Sequence, residues 1–334
     1  MKAAIYTRYG PPDVIYLAEV PTPAPKPSEV RVRIHATTVN SADWRLRSAK
    51  VPRGFGLIIR LVFGITGPRQ PILGTELSGL IDAVGAKVTG FKPGDAVFAF
   101  FGAKMRCHAE YRTMAATGTV LPKPDTLTRA QAAALSFGGT TALYFLRDRA
   151  RVTPGDRVLV LGASGTVGSA AVQVAKRLGA HVTGVTSATN QEVVRGLGAD
   201  AVIDYSAQDF TRADARYDII MDCVGATTYA ASKGVLARNG RFLAVAGGLP
   251  EMLGTLWSRK HGHRVMAGTA PENLSDLILL ADWAQAGHFT PLIDSTYDFA
   301  QIVDAHARVD TGRKRGSVVV VMPLTDLASA QTAV

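Results

Sequence analysis

The chain has 334 residues, which exceeds the length of about 250–300 residues at which a single hydrophobic core usually stops growing, so we expect two domains. Apolar residues make up 47% of the chain and charged residues 19%, a composition that excludes a disordered protein, a collagen-like repeat and a coiled-coil rod. The cysteines, Cys107 and Cys223, lie far apart and in no C-x-x-C pair, which excludes a disulfide scaffold and a structural zinc ribbon.

The charge balance predicts an affinity for anions. There are 37 Lys and Arg residues against 27 Asp and Glu, and the net charge of +10 concentrates phosphorylated ligands or nucleic acids near the surface. The basic residues are scattered, and Arg313-Lys314-Arg315 is the only compact cluster, so nucleic acid is not an expected partner. The sequence shows neither a signal-peptide apolar stretch nor an apolar span of about 20 residues, so we expect a cytoplasmic protein with no membrane partner.

Short alternating strands, broken by Pro and Gly, characterise the first part of the chain. This punctuation is typical of a β-barrel or sandwich, and we assign residues 1–125 to a β-rich domain. The predicted strands are Lys2–Thr7, Val30–Thr38, Ser78–Val84, Ala96–Phe101 and Ala109–Thr113. The apolar segment Phe55–Phe63 predicts a short helix or a lid segment rather than a strand.

Helices and strands alternate after Thr128, and we assign residues 126–268 to a second domain. The alternation favours a parallel, doubly wound sheet, which is an α/β fold. The predicted strands are Arg157–Leu161, His181–Thr186, Ala201–Asp204, Asp218–Asp222 and Arg241–Ala246. The predicted helices are Ala130–Leu135, Thr141–Arg147, Val167–Leu178, Gln191–Leu197 and Thr227–Leu236.

The last part of the chain again resembles the first. A helix over Asn273–Ala286 is followed by strand-like Ile293–Tyr297 and Ser317–Met322. We therefore expect residues 269–334 to return to the first domain.

A glycine-spaced turn joins the first strand of the second domain to its following helix. Gly162, Gly165 and Gly168 follow strand Arg157–Leu161 and open the small-faced helix Val167–Leu178. Without side chains there, the backbone can approach a pyrophosphate, whose charge meets the free N–H groups and the positive dipole end of the helix. This context predicts a dinucleotide-binding turn; the alternative is a tight glycine turn without a ligand.

The end of the second strand bears on which dinucleotide binds. A cofactor without a 2′-phosphate usually meets an Asp or Glu about 20 residues after the first glycine. Here the strand ends Thr186-Ser187-Ala188-Thr189-Asn190, so no carboxylate repels a phosphate, and the hydroxyls and the amide of Ser187 and Asn190 can donate hydrogen bonds to one. The sequence therefore favours NADPH over NADH; alternatively, these residues cap the next helix.

Several motifs in a fixed order carry a family resemblance. They are Val39-Asn40-Ser41-Ala42-Asp43 with Arg47, Leu73-Gly74-Thr75-Glu76-Leu77-Ser78-Gly79, Phe91-Lys92-Pro93-Gly94-Asp95-Ala96-Val97, Gly139-Thr140-Thr141-Ala142 and Arg195-Gly196-Leu197-Gly198-Ala199-Asp200-Ala201-Val202-Ile203-Asp204-Tyr205. With the glycine turn, these residues resemble the zinc-independent quinone oxidoreductase branch of the medium-chain dehydrogenase/reductase superfamily, which includes zeta-crystallin. The resemblance spans nearly the whole chain. It implies a GroES-like β-rich domain, a Rossmann domain and a C-terminal return, with the active cleft between them; we also expect a homodimer.

The resemblance further implies a set of cofactor-binding residues. Ser164, Gly165, Thr166 and Val167 would meet the pyrophosphate. Ser187 and Tyr205 would lie by the adenosine phosphate, and Thr141 would sit on the nicotinamide side. Arg313-Lys314-Arg315 matches a C-terminal segment that closes over the cofactor in similar proteins; alternatively, it is a solvated charged turn.

Zinc alcohol dehydrogenases of the same superfamily use metal ligands that this sequence does not carry. They place a Cys near the position of Asn40 and a His at the position of Thr75, and they have a later four-Cys lobe that this sequence lacks. A zinc-activated alcohol oxidation is therefore disfavoured, and no metal site is expected. We interpret the metal-like run Cys107-His108-x-Glu110 as a structural strand, and His261 and His263 as loop residues.

Tyr229 and Lys233 have the Tyr-x-x-x-Lys spacing of the pair that short-chain dehydrogenases use for proton transfer on one helical face. In that family the pair lies much farther along the chain from the glycine turn. We therefore interpret these two residues as a helix-surface tyrosine and lysine.

Hydride chemistry without a metal sets the expected substrate class. NADPH would supply the hydride, and the protein would supply orientation, electrostatics and exclusion of water. Quinones and α,β-unsaturated carbonyls accept hydride readily, since the charge that develops on their oxygen is delocalised and one or two hydrogen-bond donors stabilise it. Asn40 is the candidate donor; alternatively, its amide fixes the loop before Asp43. Arg45 stands where related quinone reductases often carry a Tyr. Trp44 and the Phe55–Phe63 segment are candidate walls of an apolar substrate site; alternatively, they pack a core.

The sequence thus predicts an NADPH-dependent, zinc-free reductase of quinones or enones. One alternative is an NAD(P)-dependent alcohol or aldehyde oxidoreductase. The other is a non-catalytic nucleotide- or nucleic-acid-binding protein of the same fold, which the basic charge balance permits.

Overall fold

Short paired strands make the N-terminal part of the protein a β-rich domain. The structure is a computed structural model and describes residues 1–51, 54, 56–248, 251 and 262–323. The strands are β1 (Lys2–Tyr6), β2 (Ile15–Glu19), β3 (Glu29–Val39), β4 (Glu76–Val84), β5 (Ala96–Phe100), β6 (Tyr111–Ala115) and β7 (Val120–Pro122), and the helices are α1 (Ser41–Ser48) and α2 (Gly56–Phe63). The β-rich character predicted for this part of the chain is confirmed.

The middle of the chain alternates between helices and parallel strands. Its elements are α3 (Arg129–Ala133), α4 (Ser136–Leu143), β8 (Arg157–Leu161), α5 (Thr166–Arg177), β9 (His181–Thr186), α6 (Gln191–Gly196), β10 (Ala201–Asp204), β11 (Tyr217–Asp222), α7 (Tyr229–Ser232), β12 (Leu236–Ala244) and β13 (Arg264–Ala267). The strands form a parallel sheet in the order β10-β9-β8-β11-β12-β13. The apolar run of β8 is buried on both faces, as a sheet covered by helices on each side requires. The predicted doubly wound α/β sheet is confirmed.

The C-terminal part of the chain contacts both sheets. Its elements are α8 (Leu274–Gln285), β14 (Ile293–Asp298), α9 (Ile302–Asp310) and β15 (Ser317–Val321). Strand β15 pairs with β3 in the antiparallel sense, which gives the order β14-β15-β3-β4-β5-β7 with β6 on the other part of β3. Helix α8 instead packs Leu277 and Leu280 into the core around α4 and α5. The domain limits 1–125, 126–268 and 269–334 stay a prediction.

The helix predicted over Thr227–Leu236 is wrong in its extent. A single α-helical turn over Tyr229–Ser232 is followed by a 3-10 turn, and Leu236 already pairs with β11. Gly234 lies within the predicted helix, where glycine costs about 1 kcal/mol relative to alanine. Strand pairing therefore prevails over the helical pattern.

Other predicted helices are present with shifted limits. The helical interpretation of Phe55–Phe63 is confirmed over α2, and Phe55 lies outside the described residues. The helix predicted to start at Thr141 starts at Ser136 and widens into a π-helical segment over Tyr144–Ala150. Among the helices that the structure describes, none is both long and apolar enough to cross a bilayer.

Candidate active site

The turn after β8 brings the N-terminus of a helix into a cleft. Gly162 has a φ of +72°, a left-handed conformation that favours glycine, and a Cβ atom at Gly168 would lie 2.0 Å from the Gly162 carbonyl oxygen. These two glycines let α5 pack directly on the turn. Its N-cap, Gly165, offers no side-chain hydrogen bond, and Gly165, Thr166 and Val167 line the cleft. The helix N-terminus is therefore suited to bind a pyrophosphate.

The cleft has a volume of about 1300 Å³ and lies at the carboxyl ends of the parallel strands, where doubly wound sheets bind their ligands. All predicted cofactor-binding residues except Thr141 line it: Ser164, Gly165, Thr166, Val167, Ser187, Asn190, Tyr205, Arg313, Lys314 and Arg315. The candidate donor Asn40 is also absent from the lining. The fold thus brings the glycine turn, the end of β9 and the basic C-terminal segment to one site.

A network of hydroxyl and amide groups forms one end of this cleft. The Ser164 hydroxyl oxygen accepts hydrogen bonds from Thr186 Oγ1 (2.9 Å) and from Asn190 Nδ2 (3.2 Å). The same Asn190 amide lies 3.2 Å from Ser187 Oγ, which is 3.1 Å from Thr189 Oγ1. Neither Ser187 nor Asn190 caps a helix with its side chain, so the helix-cap interpretation does not describe these residues. Their polar groups line the cleft instead.

The sequence analysis missed a carboxylate at the same end. Gln208 and Asp209, in the loop after β10, line the cleft beside Tyr205. The Asp209 carboxylate accepts hydrogen bonds from the hydroxyl and N–H groups of Thr211, which lower its pKa, and it lies 3.3 Å from Arg212. Two loops, one after β9 and one after β10, therefore form this end of the cleft, and the end of β9 alone does not describe its charge. The carboxyl-end rule for parallel strands would have pointed to the second loop.

The C-terminal segment is hydrogen-bonded to the glycine turn. The Gly316 N–H donates to the Ser164 carbonyl at 2.8 Å, and the Thr166 hydroxyl donates to the Gly316 carbonyl at 2.8 Å. Gly316 has a φ of +81°, and a Cβ atom there would lie 2.1 Å from the Leu292 carbonyl oxygen, so this close approach requires glycine. The predicted closing segment is thus held at the start of α5.

Lys314 places a cation at the pyrophosphate end of the cleft. Its ammonium group donates to the Thr166 hydroxyl oxygen and, at 2.8 Å, to the Gly316 carbonyl. Burial lowers the pKa of Lys314 to about 8, although Asp294 and Glu76 favour the charged form. Arg313 and Arg315 on either side are exposed, as the charged-turn interpretation predicts. The closing role over the cofactor stays a prediction for Lys314, whose ammonium group lies at the start of α5.

Aromatic and basic side chains form the other end of the cleft. Trp44 and Arg45 from α1 and Phe137 from α4 line it, together with Ser41. Burial lowers the pKa of Arg45, which is half-buried. Thr141 does not line the cleft and donates its hydroxyl hydrogen to the Phe137 carbonyl at 2.7 Å. Trp44 lines the cleft and also packs against the core of the β-rich domain, and Arg45 brings a cation to the same end of the cleft.

Both the nitrogen and the oxygen of the Asn40 amide are hydrogen-bonded within the protein. Its Nδ2 donates to Thr75 Oγ1 at 2.7 Å, its Oδ1 accepts from the Ala42 N–H at 2.9 Å, and the residue is 2% exposed. The Asp43 carboxylate accepts from the Asn40 and Gly74 N–H groups, and burial raises its pKa. These contacts match the interpretation of Asn40 as a structural amide that fixes the loop before Asp43.

The side chains of the metal-like run Cys107-His108-x-Glu110 have separate contacts and do not converge on one point. Cys107 is buried in the core of the β-rich domain, His108 Nε2 donates to the Thr38 carbonyl at 2.9 Å, and Glu110 accepts from the Lys2 N–H at 2.7 Å. Strand β6 starts after this run, so the strand interpretation of these residues is wrong by a few positions. Within the described ranges, no three His, Cys, Asp or Glu side chains are arranged to hold a metal ion.

The short-chain-type pair lies away from the cleft. The Tyr229 hydroxyl is 3.1 Å from His263 Nδ1, and Lys233 is exposed. Neither Tyr229 nor Lys233 lines the cleft. The surface interpretation of the pair agrees with this placement, and His261 lies outside the described residues.

Two long-range ion pairs at the cleft were also missed. Arg308 donates to both carboxylate oxygens of Asp294 at 2.7 and 2.8 Å, and Asp294 also accepts from the Arg315 N–H at 2.6 Å. Arg47, which is fully buried, donates to Asp310 Oδ2 at 2.6 Å and so ties the end of α1 to the end of α9. The family motif indicates that Arg47 matters, but a single sequence does not show its partner.

Two protein-family models match this chain. An alcohol dehydrogenase GroES-like domain matches residues 26–157, and a zinc-binding dehydrogenase domain matches residues 197–320. A GroES-like domain joined to a Rossmann-like domain, with a dinucleotide turn in the cleft, defines an oxidoreductase of the nicotinamide-dependent class.

Relatives and solved structures narrow this class. The mitochondrial NAD(P)H oxidoreductase RTN4IP1 of Homo sapiens is 31% identical over 331 residues, which cover 88% of this chain and 82% of the relative. The 2-methylene-furan-3-one reductase of Solanum lycopersicum is 30% identical, with 96% and 79% covered. The quinone oxidoreductase structure from Coxiella burnetii is 28% identical, with a TM-score of 0.85 and 97% and 99% covered. The chain belongs to the quinone oxidoreductase branch of the medium-chain dehydrogenase/reductase superfamily, as its motifs predicted.

Proposed function

We propose that this protein is an NADPH-dependent, zinc-free reductase that transfers hydride to a quinone or an α,β-unsaturated carbonyl. The observation that carries the proposal is the joint lining of one cleft by the glycine turn, the hydroxyl and amide groups after β9, and the basic segment Arg313-Lys314-Arg315. The hydroxyl and amide groups of Ser187 and Asn190 at the adenosine end can donate hydrogen bonds to a 2′-phosphate, and this favours NADPH even though the Asp209 carboxylate lines the same end. Lys314 serves the pyrophosphate, which NADH and NADPH share. Relatives named as quinone oxidoreductases and as a 2-methylene-furan-3-one reductase support the substrate class.

The cleft residues have distinct tasks toward the cofactor in this proposal. The turn from Ser164 to Val167 and Lys314 hold the pyrophosphate. Ser187, Asn190 and Tyr205 hold the adenosine phosphate, and Arg313 and Arg315 flank the cleft as exposed cations. Thr141 orients Phe137 on the nicotinamide side through its hydrogen bond to the Phe137 carbonyl. The bound nicotinamide supplies the hydride.

The proposed substrate end has an apolar wall and one cation. Trp44 and Phe137 exclude water and bind a flat conjugated ring. Arg45 lines the same end and donates to the oxygen on which negative charge develops. Asn40 stays the second candidate donor, and it serves the substrate if its amide exchanges Thr75 for the substrate oxygen.

The donor set at the superfamily's zinc position supports the zinc-free part of the proposal. Asn40 and Thr75 stand where zinc alcohol dehydrogenases carry Cys and His, and they bond to each other at 2.7 Å. Neutral amide and hydroxyl groups are not the thiolate and imidazole ligands that hold catalytic zinc. The proposal accordingly routes no chemistry through a metal.

A panel of turnover assays tests this function. NADPH and NADH are each incubated with an ortho-quinone and with an enone, and both oxidised cofactors with a simple primary alcohol, with and without a chelator. We expect the quinone or the enone to oxidise NADPH faster than NADH, without sensitivity to the chelator. Chelator-sensitive alcohol oxidation would instead identify the alcohol oxidoreductase alternative, and cofactor binding without turnover would identify the non-catalytic one. The homodimer and the cytoplasmic location stay predictions.

A further inference from the structure

We propose that α2 and the turn after it form a docking surface for an anionic phospholipid bilayer. This surface, the α2 patch, consists of Arg60, Leu61, Val62, Ile65 and Arg69. It lies outside the cofactor cleft, since none of these five residues lines that cleft. The docking itself does not depend on the proposed reductase activity.

The apolar side chains of the α2 patch face solvent. Leu61 is 52% exposed, Val62 55% and Ile65 59%. The C-terminal end of the helix is anchored, because Phe63 packs half-buried against the core of the β-rich domain and the Tyr9 hydroxyl donates to the Gly64 carbonyl at 2.8 Å. The structure therefore holds three adjacent apolar side chains outward, and such clusters mark interaction sites more often than single exposed residues do.

Two arginines border the apolar side chains. Between Asp43 and Glu76 the sequence has no Asp or Glu, so no carboxylate of this stretch opposes them. Arg60 and Arg69 are exposed and donate to the carbonyls of Ile65 (3.3 Å) and Val62 (3.2 Å), so both guanidinium groups lie at the border of the patch.

This combination fits an anionic bilayer better than other occupants. Apolar side chains of a short surface helix enter the boundary between headgroups and acyl chains, while cations meet anionic headgroups. Nucleic acid would leave the apolar side chains in water. A second copy would bring the same cations against each other in a symmetric contact. Charge complementarity therefore selects the lipid surface.

The inference differs from the sequence expectation of no membrane partner. That expectation depended on the absence of a segment long enough to span a bilayer, whereas α2 has eight residues and would lie on the surface. Helix α1, which supplies Trp44 and Arg45 to the cleft wall, precedes α2 in the chain. If the substrate is a lipophilic quinone, docking also brings the protein to the bilayer in which that quinone dissolves. This consequence, unlike the docking itself, depends on the proposed function.

Vesicle co-sedimentation tests the docking. The full chain is mixed with vesicles of phosphatidylcholine alone or of phosphatidylcholine with phosphatidylserine, and the bound fraction is measured at low and high salt. The apolar variant is Leu61→Ser with Ile65→Ser, and its matched control replaces Leu17 and Ile278, which are 39% and 44% exposed elsewhere, with Ser. The charge variant is Arg60→Gln with Arg69→Gln, and its matched control is Lys87→Gln with Lys92→Gln on other exposed positions.

We expect binding to the anionic vesicles, weakening with salt, and little binding to the neutral ones. The apolar and charge variants should each lose about tenfold in partition coefficient, and both controls should bind like the wild type. Thermal melting of each variant verifies that the fold is intact. Absence of binding to anionic vesicles, or equal binding by the apolar variant, would overturn the inference. A wild-type dimer that the apolar variant dissociates in sedimentation velocity, without vesicle binding, would assign the patch to self-association instead.

Discussion

Cofactor affinity is expected to depend on the protonation of Lys314. Its ammonium group lies at the start of α5, bonded to Thr166 and Gly316, where the proposed pyrophosphate binds. Burial lowers its pKa to about 8, so in the free protein the amine is charged below pH 8 and loses its proton as the pH rises through that value. The charged form attracts the pyrophosphate, and affinity for the dinucleotide should therefore fall above pH 8.

The size of this effect follows from the protonated fraction. With a pKa of about 8, about 90% of the Lys314 side chains are charged at pH 7 and about 10% at pH 9. If the charged form binds and the neutral form does not, the apparent Kd is the intrinsic Kd divided by the charged fraction. The Kd should thus rise about tenfold over this interval, which corresponds to about 1.4 kcal/mol. NADH should show the same rise as NADPH, because both contain the pyrophosphate.

Fluorescence titration of NADPH and NADH between pH 7 and pH 9 measures the effect. Lys314→Met should bind more weakly at pH 7 and show no rise over the interval. Arg313→Gln is the matched control, since it removes an exposed cation of the same segment and leaves Lys314 in place. A flat wild-type profile, or an unchanged rise in Lys314→Met, would refute the reasoning.

Three further predictions concern the two ends of the cleft and the buried contact between Asn40 and Thr75. Ser187→Asp should raise the KM for NADPH at least about tenfold more than the KM for NADH, because it places a carboxylate beside the proposed 2′-phosphate; equal losses in steady-state assays would contradict the assignment. Arg45→Gln should lower kcat about 10- to 100-fold with an unchanged Kd for NADPH, and Arg45→Lys should restore part of it; a normal kcat would remove Arg45 as a donor. Asn40→Ala should lower the free energy of unfolding by about 1–3 kcal/mol in urea, because Thr75 loses its buried partner; unchanged stability with a lower kcat would favour the donor role of Asn40.

The sequence predicted the parts of the molecule whose signals are local. The strand β8, the glycine turn and α5 are contiguous, and Gly162 and Gly168 have steric reasons that the pattern already carries. The residues at the end of β9 could be predicted from the same dinucleotide-binding pattern. Asp209, in the loop after β10, was missed because it reaches the cleft only through the strand order, in which β10 lies beside β9.

Contacts between distant parts of the chain could not be predicted in the same way. Arg47 and Asp310 are 263 positions apart, and nothing near either residue identifies its partner. The contact of the Asn40 amide with Thr75 joins positions 35 apart in the sequence, so the sequence alone left both interpretations of Asn40 open. Local signals can also mislead. The sequence pattern predicted a helix up to Leu236, but α7 ends at Ser232 because Leu236 pairs with the neighbouring strand β11.

The stretch from Gly316 to Val318 is fastened to two different sheets within three residues. Gly316 bonds to the turn that follows β8, and Val318 pairs with Val39 of β3. A change in the angle between the two sheets must therefore deform these few peptide groups or break their hydrogen bonds. A truncation just before this stretch would remove both attachments at once.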